Sequence, residues 1–233
     1  MTRKKISVAM AAYNGEKYIQ KQIDSILPQL EVEDELVISL DESQDQTKSI
    51  IESYQDHRIR LIEGPRKGAI QNFEHVIAHC HNEIIFLCDQ DDIWNSKKVE
   101  TVLPYFDDPM VQVVLHDAIV FEDEKVILES FFAHRNTKIG QFHNVMKNGY
   151  LGCCMAFRKS LTSYILPFPK KIPMHDMWIG LVGERVGKNI LCDACLTYYR
   201  RHGENVTSMH HAGFTQMIRW RIDLIQALHH VKK

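Results

Sequence analysis

The sequence contains no apolar run that approaches the ~18 residues typical of a membrane-spanning helix, and it has no basic surplus. Lys and Arg total 28, whereas Asp and Glu total 30, so the formal net charge is −2. Nucleic-acid binders normally carry excess positive charge, so this balance argues against a nucleic-acid partner. The N-terminus is basic and then briefly apolar, but it runs into AYNGE without a usual signal-peptide cleavage site. We therefore predict a first β-strand there and a cytoplasmic protein, with peripheral contact at the inner face of the cell membrane left open.

A second Cys-x-x-Cys pair is also absent. Of the six cysteines, only Cys192 and Cys195 have this spacing. A zinc site would need two more ligands at suitable spacing, so the sequence favours structural cysteines over a metal or redox role. Cysteines inside apolar runs fit a reducing compartment.

The first half of the chain alternates strand-like and helix-like segments. KISVAMA, ELVISL, RIRLIE and EIIFLC have the pattern of strands, and amphipathic or apolar helical segments lie between them. This alternation predicts an α/β fold with a mostly parallel sheet and helices on both faces. The polar stretches AYNGE, DESQD, GPRKG and DQDD each follow a strand, so we expect all four along one edge, where such sheets bind ligands.

The rhythm changes from about residue 111. VQVVLHDAIVF and EKVILESFF predict strands in antiparallel pairing, and LGCCMAF predicts another. HDMWIGLVGERVG predicts a buried helix, NILCDACLTYYR one or two strands, and FTQMIRWRIDLIQALHHV a closing amphipathic helix.

The stretch FLCDQDDIW places three carboxylates directly after a buried strand. In an extended chain Asp89 and Asp91 point to the same side, where they could share a hard cation such as Mg²⁺ or Mn²⁺. The alternative is that Asp91 or Asp92 caps a helix starting near Ser96. One cap explains one aspartate and not three, so we favour the metal.

Other polar positions complete the predicted edge. Asp41 follows the second strand and could bind a ribose hydroxyl or a base, and Tyr13 could stack on a base. Lys67, with its neighbour Arg66, could meet phosphate. Asp176 lies among apolar residues, which tend to raise the pKa of a carboxylate as a general base requires.

In order along the chain, AAYNGEKYI, ISLDESQDQT and FLCDQDDIW resemble motifs of the inverting family 2 nucleotide-sugar glycosyltransferases. The resemblance covers roughly residues 5–208. LGCCMAF, MHDMWI and YRRHGENVT most resemble the bacterial rhamnosyltransferase-like branch, which builds surface polysaccharides from dTDP-L-rhamnose. The resemblance to this family implies a GT-A fold: a Rossmann-like, mostly parallel central sheet flanked by helices, with a smaller acceptor-side sub-sheet.

The resemblance also implies roles for individual residues. Asp176 matches the catalytic base. The nucleotide-sugar donor would be bound by Ala12, Tyr13, Asn14, Asp41, Lys67, Asp89, Gln90 and Asp91. The metal, Mn²⁺ or Mg²⁺, would be held by Asp91, Asp89 and His202. His175, which stands where most members have Glu, and Trp178 would lie on the acceptor side. The second loop reads Leu40-Asp41-Glu42-Ser43 where the family commonly has Asp-Asp-Gly-Ser, which leaves the nucleotide preference open.

The implied function is transfer of a sugar with inversion, from dTDP-rhamnose or a UDP-hexose to a glycan or lipid-linked saccharide acceptor. Two alternatives stay open. A sugar-1-phosphate nucleotidyltransferase has a related architecture, but no glycine-rich, arginine-containing loop follows the first strand. A non-catalytic nucleotide-sugar-binding protein would not need His175-Asp176.

We expect one domain at residues 1–208, divided into a nucleotide-sugar half (1–110) and an acceptor half (111–208). An amphipathic helix at 209–233 would follow. Within it, QMIRW also matches the QxxRW pattern of processive family members, which carry transmembrane helices. We interpret it as part of the helix; a role for Arg219, Trp220 and Arg221 at an acceptor or a membrane surface is the alternative.

Overall fold

The computed structural model describes residues 3–203 and 214–231. Strands and helices alternate through the first half, as the sequence predicts, and the N-terminal segment forms a strand. In chain order these elements are β1 (Ile6–Ala12), α1 (Ile19–Ile26), β2 (Glu35–Leu40), α2 (Thr47–Ser53), β3 (Ile59–Glu63), α3 (Ala69–Ala78), β4 (Ile84–Asp89), β5 (Ile93–Trp94) and α4 (Lys98–Val102).

The second half has longer strands and shorter helices. Its elements are β6 (Val111–Glu122), β7 (Lys125–Leu128), α5 (Phe131–Arg135), α6 (Gln141–Met146), β8 (Met155–Arg158), α7 (Thr162–Ile165), α8 (His175–Val186), β9 (Lys188–Arg200) and α9 (Phe214–His230). No helix in the described ranges has the length and apolar content to cross a bilayer.

All nine of these strands join in one sheet, in the order β3-β2-β1-β4-β8-β6-β9-β5, with β7 paired to β6. Strands β1 to β4 are parallel, and β6 and β9 run in the same direction because β8 is antiparallel to both β4 and β6. Only β5, β7 and β8 oppose that direction. The sheet is therefore mostly parallel, and the strands of the second half of the chain continue it rather than forming a separate layer.

Two apolar cores cover the two faces of the sheet. Side chains alternate along the central strand β1, so Val8 and Met10 pack toward α1 and α4 while Ala9 packs toward α3 and α8. Helices on both faces explain why the central strands read as continuous apolar runs. Both cores hold the carboxyl ends of β1, β2 and β4 together at one edge.

Local structure differs from the prediction at three places. The predicted strand EKVILESFF ends at Leu128, because the Ser130 side chain accepts a hydrogen bond from the Ala133 amide and caps α5. LGCCMAF is a strand only from Met155, and Gly152–Cys154 forms a 3₁₀ turn. The helix after FLCDQDDIW begins at Lys98, too far from Asp91 and Asp92 for either to cap it.

The predicted C-terminal helix is described as α9, from Phe214 to His230. The boundary expected between residues 208 and 209 lies outside the described residues, as do positions 209–213.

Candidate active site

The strand ends open into a cleft of about 1110 Å³. Its walls come from the loops after β1, β2 and β4, the start of α3, the start of α8 and the end of β9. Of the twelve residues to which the resemblance assigns roles, ten line it: Ala12, Tyr13, Asn14, Asp41, Asp89, Gln90, Asp91, His175, Asp176 and His202. Arg66, the neighbour of Lys67, lines it as well. Lys67 and Trp178 do not line it. The predicted gathering of polar loops at one edge is thus present.

The loops after β1 and β2 are tied together by hydrogen bonds. Asn14 adopts the left-handed conformation (φ 46°); its amide donates to Ser43 Oγ at 3.0 Å, and its Oδ1 accepts from the Gln44 amide at 2.9 Å. The Gly15 amide donates to Thr47 Oγ1 at 2.7 Å. Because the Asn14 amide and Oδ1 both bond to the loop after β2, Asn14 shapes the loop that faces the cleft.

Asp41 lies where β2 ends, 7% exposed, at the floor of this part of the cleft. Its Oδ1 accepts a hydrogen bond from the Arg66 amide at 2.7 Å. A Cβ on Gly64 would lie 2.4 Å from the same oxygen, so the close approach requires glycine there. Tyr13, 56% exposed on the rim, offers an aromatic face beside it. A carboxylate next to an open ring suits a nucleoside.

Gln90 joins the acidic segment to the loop after β1. Its Oε1 accepts from the Tyr13 amide at 2.8 Å, and its Nε2 donates to the Tyr13 carbonyl at 2.6 Å. A Cβ on Gly15 would come within 2.3 Å of Gln90 Oε1. Gln90 therefore fixes the loop after β1 against the acidic segment.

Asp89 and Asp91 line the cleft together with His202. Asp91 Oδ2 and His202 Nε2 are 2.7 Å apart, and the His202 ring stacks on Tyr18 with ring centres 4.9 Å apart. Burial, followed by the charges of Asp91 and Asp176, raises the pKa of Asp89 to about 8. Two carboxylates and an imidazole supply the oxygen and nitrogen donors that a divalent cation accepts, and its charge would relieve their repulsion. The chemistry of this donor set fits Mn²⁺ or Mg²⁺, and Asp91 and His202 are the two donors already in contact.

Asp92 faces away from the cleft into the protein. It is 1% exposed, and its Oδ1 accepts a hydrogen bond from the Arg200 amide at 2.9 Å, so it holds β9 instead of capping a helix. Burial and the charges of Asp91 and Asp89 raise its pKa. Carboxylate oxygens of Asp89 and Asp92 and the Cys153 Sγ lie within 4.8 Å of one another. These three atoms form a second group of donors, distinct from the pair Asp91 and His202.

A buried lysine lies near the carboxylates of the acidic segment. Lys98 is fully buried; its Nζ donates to the Cys153 carbonyl at 2.8 Å and to Thr197 Oγ1 at 3.0 Å, and lies 4.0 Å from the Trp94 ring centre. Its charge acts to lower the pKa of Asp89, against the effect of burial. The acidic segment is thus compensated from inside by lysine, a partner that sequence reasoning did not name.

Asp176 lies in the first turn of α8, 6% exposed, on the wall of the same cleft. Burial raises its pKa to about 6, although the Met177 amide donates to its Oδ1 at 2.6 Å and opposes the shift. At neutral pH it is therefore an ionised carboxylate of unusual basicity. Such a group can accept a proton from a hydroxyl.

His175 stacks on Phe73 with ring centres 3.9 Å apart, and burial lowers its pKa to about 3, so the ring is neutral. Neither ring nitrogen has a hydrogen-bond partner among the described residues. A Cβ on Gly152 would lie 2.8 Å from His175 Nε2. The neutral imidazole therefore lies on the wall of the cleft beside Asp176 with both of its nitrogens buried.

Trp178 instead lies in the apolar core, 3% exposed, and its indole nitrogen donates to the Ile165 carbonyl at 3.0 Å. Its position gives no support to the expected acceptor-side role. Tyr18 and Tyr199 do line the cleft, and sequence reasoning missed them. Their place within AAYNGEKYI and YYRRH was the signal available.

The sequence profile described as Glycosyl transferase family 2 matches residues 7–166. The chain belongs to this family. In *Escherichia coli*, UDP-Glc:alpha-D-GlcNAc-diphosphoundecaprenol beta-1,3-glucosyltransferase WfgD is 23% identical over 206 residues, which cover 87% of this chain and 79% of WfgD. The dTDP-rhamnosyl transferase RfbG of *Shigella flexneri* is 36% identical over 102 residues, or 40% of this chain and 35% of RfbG.

Solved structures establish the GT-A fold of this family 2 chain. *S. aureus* TarS 1–349 in complex with UDP-GlcNAc has a TM-score of 0.75 at 19% identity; the match covers 95% of this chain and 66% of that chain, just under two thirds. Glucosyl-3-phosphoglycerate synthase from *Mycobacterium tuberculosis*, solved with Mn²⁺, UDP and phosphoglyceric acid, has a TM-score of 0.62 at 18% identity and covers 99% of this chain and 80% of that chain.

Proposed function

We propose that this chain is an inverting glycosyltransferase that moves a sugar from a nucleoside-diphosphate donor to an acceptor hydroxyl. One observation carries the proposal: a single cleft brings together the Asp41 loop, the Asp91–His202 pair and the unusually basic Asp176. Membership of family 2 supports transfer over nucleotidyl transfer or binding alone.

The donor would lie along the strand ends. Its base and ribose would meet Asp41 and Tyr13, within the loops braced by Asn14 and Gln90. Its diphosphate would lie toward Asp91 and His202. Lys67, next to the cleft-lining Arg66, would meet the outer phosphate from outside.

The donor set at the cleft would hold Mn²⁺ or Mg²⁺ through Asp91, with Asp89 and His202 completing the site. When bound, the cation would supply positive charge against the diphosphate leaving group. The solved *M. tuberculosis* relative holds Mn²⁺ together with UDP, which supports this assignment.

Asp176 would act as the general base. It takes the proton of the acceptor hydroxyl while the hydroxyl oxygen forms a bond to the anomeric carbon of the donor sugar. The bond from that carbon to the diphosphate oxygen breaks on the opposite face, and the nucleoside diphosphate leaves with the bonding electrons. The configuration inverts, and Asp176 carries the proton at the end of the step. The neutral His175 would lie beside it on the acceptor side of the cleft.

Two donor classes deserve equal testing, dTDP-rhamnose and a UDP-hexose. RfbG is named a dTDP-rhamnosyl transferase, and WfgD is named for UDP-Glc and a diphosphoundecaprenol-linked GlcNAc acceptor. The second name supports a lipid-linked saccharide as the acceptor class.

The test is nucleotide release and product formation across dTDP- and UDP-sugars with Mn²⁺ and a lipid-linked saccharide. We expect one donor to be turned over by the wild type and by Asp193→Asn, which changes an exposed aspartate of β9, but not by Asp176→Asn. Pyrophosphate formed from a sugar phosphate would instead identify a nucleotidyltransferase. Donor binding without turnover of any donor would identify a binding protein.

A further inference from the structure

An apolar surface lies on the outer side of α6 and α9. It consists of Phe142, Met146, Ile218, Ile222 and Ile225, which are 83%, 50%, 39%, 50% and 55% exposed. We call it the α6–α9 face. Five large apolar side chains on adjoining helices are more than the single exposed residues common on protein surfaces, and contiguous patches mark interaction sites.

The face is built by the spacing of residues on α9. Ile218, Ile222 and Ile225 recur at intervals of four and three, so they lie along one side of the helix, while Leu224 and Leu228 face the core. The core therefore needs one stripe of α9, and the isoleucine stripe is additional to it.

Contacts between the two helices make the surface continuous. Arg221 donates to the carbonyls of Val145 at 3.3 Å and Met146 at 2.8 Å, which fixes the end of α6 against α9. Phe142 and Ile225 line the same shallow depression of about 230 Å³. The apolar groups of both helices therefore present one surface.

The surroundings of this face are basic although the chain as a whole has a net charge of −2. Residues 131–148 include Arg135, Lys138 and Lys147 and no acidic residue. Lys138 and Lys147 are exposed. On α9 the single acidic residue, Asp223, lies 3.9 Å from Lys171. An apolar helix stripe flanked by cations is complementary to a membrane surface with anionic headgroups.

The face lies near the acceptor side of the cleft. Helix α8 begins at the cleft with Asp176, and its later turns contact the segment leading into α6, where the Gly140 amide donates to Glu184 Oε1 at 3.0 Å. Eight residues separate Asp176 from Glu184, about 12 Å along a helix. A surface held against the α6–α9 face would thus be within reach of an acceptor saccharide.

We propose that the α6–α9 face docks this protein on a bilayer that carries anionic lipid headgroups. This inference deepens the proposed function. It rests on the proposed function for the lipid-linked acceptor, and the membrane contact itself rests on the exposed apolar and basic residues. A second copy of the chain would satisfy the apolar groups, but it would bring the same basic residues together, and like charges oppose that pairing.

The test is co-sedimentation of the purified protein with vesicles of mixed phosphatidylglycerol and phosphatidylcholine, compared with vesicles of phosphatidylcholine alone. We expect the wild type to bind the anionic vesicles at least about tenfold more strongly. Phe142→Ser with Ile222→Ser should weaken that binding about tenfold or more, because it removes apolar surface from the contact. Val32→Ser with Ile127→Ser is the matched control, since these residues are 72% and 43% exposed elsewhere, and it should bind as the wild type does.

A charge pair tests the second half of the inference. Lys138→Glu with Lys147→Glu should abolish the preference for anionic vesicles, whereas Lys21→Glu with Lys48→Glu, on the exposed surface of α1 and α2, should leave it. Nucleotide release from the donor without acceptor, measured on the same samples, should be unchanged. That readout separates failure of the docking inference from failure of the proposed function.

Three results would overturn the inference: no binding of the wild type to anionic vesicles, equal binding by the Phe142→Ser/Ile222→Ser variant, or loss of binding in both control pairs. Sedimentation velocity without lipid gives a further test. If the wild type is a dimer and the Phe142→Ser/Ile222→Ser variant is a monomer, the face is a contact between copies, and this result would also overturn the inference.

Discussion

Replacing Asp176 with asparagine should make the protein more stable at neutral pH while it removes activity. The carboxylate is 6% exposed, and burial raises its pKa from 3.8 to about 6. Asparagine has nearly the same size and keeps an oxygen that can accept from the Met177 amide. The substitution therefore removes the buried charge and little else.

The sign and size of the effect follow from this pKa. The pKa of Asp176 is higher in the folded protein than in the unfolded chain. Its burial therefore costs no stability below about pH 4, where it is protonated in both states, and the cost grows as the pH rises toward about 6. A shift of roughly two units corresponds to about 3 kcal/mol at 1.36 kcal/mol per unit. The asparagine variant has no such loss, so its advantage should grow from near zero to about 3 kcal/mol across this window.

Urea denaturation in the presence of EDTA, at about pH 4 and about pH 7.5, measures the difference directly. Asp193→Asn, at an exposed position on β9, is the control and should change the free energy of unfolding by less than about 0.5 kcal/mol at either pH. Transfer by Asp176→Asn should fall by at least about a hundredfold. An advantage that is the same at both pH values would refute burial as the cause of the basicity.

Three further substitutions test the rest of the site. Asp91→Ala should weaken Mn²⁺-dependent binding of UDP by at least about tenfold in calorimetry, and an unchanged affinity would contradict its role as a ligand. Gly15→Ala should weaken UDP binding because its new Cβ displaces Gln90, yet in a Gln90→Ala background the same change should add little; additive losses in this double-mutant cycle would disprove the steric coupling. Lys98→Met should cost about 1–3 kcal/mol in urea denaturation because the buried Cys153 carbonyl and Thr197 Oγ1 lose the hydrogen bonds that Lys98 Nζ donates, and an unchanged free energy of unfolding would contradict that role.

Local patterns were enough to predict the binding edge. The apolar runs of β1, β2 and β4 identify parallel strands, and the polar residues at their ends then have to meet, as Asp41 and Asp89 do. The apolar neighbours of Asp176 likewise predicted the direction of its pKa. In each case the information lies within a few residues of the site.

What the sequence could not predict depends on residues distant in the chain. Lys98 meets Cys153 across 55 positions, and Asp92 bonds the Arg200 amide across 108. Trp178 was assigned to the site because it lies two positions after Asp176 in the sequence. In helix α8, however, its side chain packs into the core. Neither periodicity nor composition encodes such pairings, because packing between elements decides them.

The Gln90 amide bonds both the N–H and the carbonyl of Tyr13, so it joins the loop proposed to bind the nucleoside to the segment that carries the proposed cation ligands. Any molecule that orders one of them also reduces the freedom of the other. Nucleotide and cation should therefore bind with positive cooperativity, and thermodynamic linkage requires that each raise the affinity for the other by the same factor. A donor with an unsuitable base would lose its own contacts and, in addition, part of the affinity of the site for its metal. Donor selectivity is then a property shared by the whole edge of the sheet.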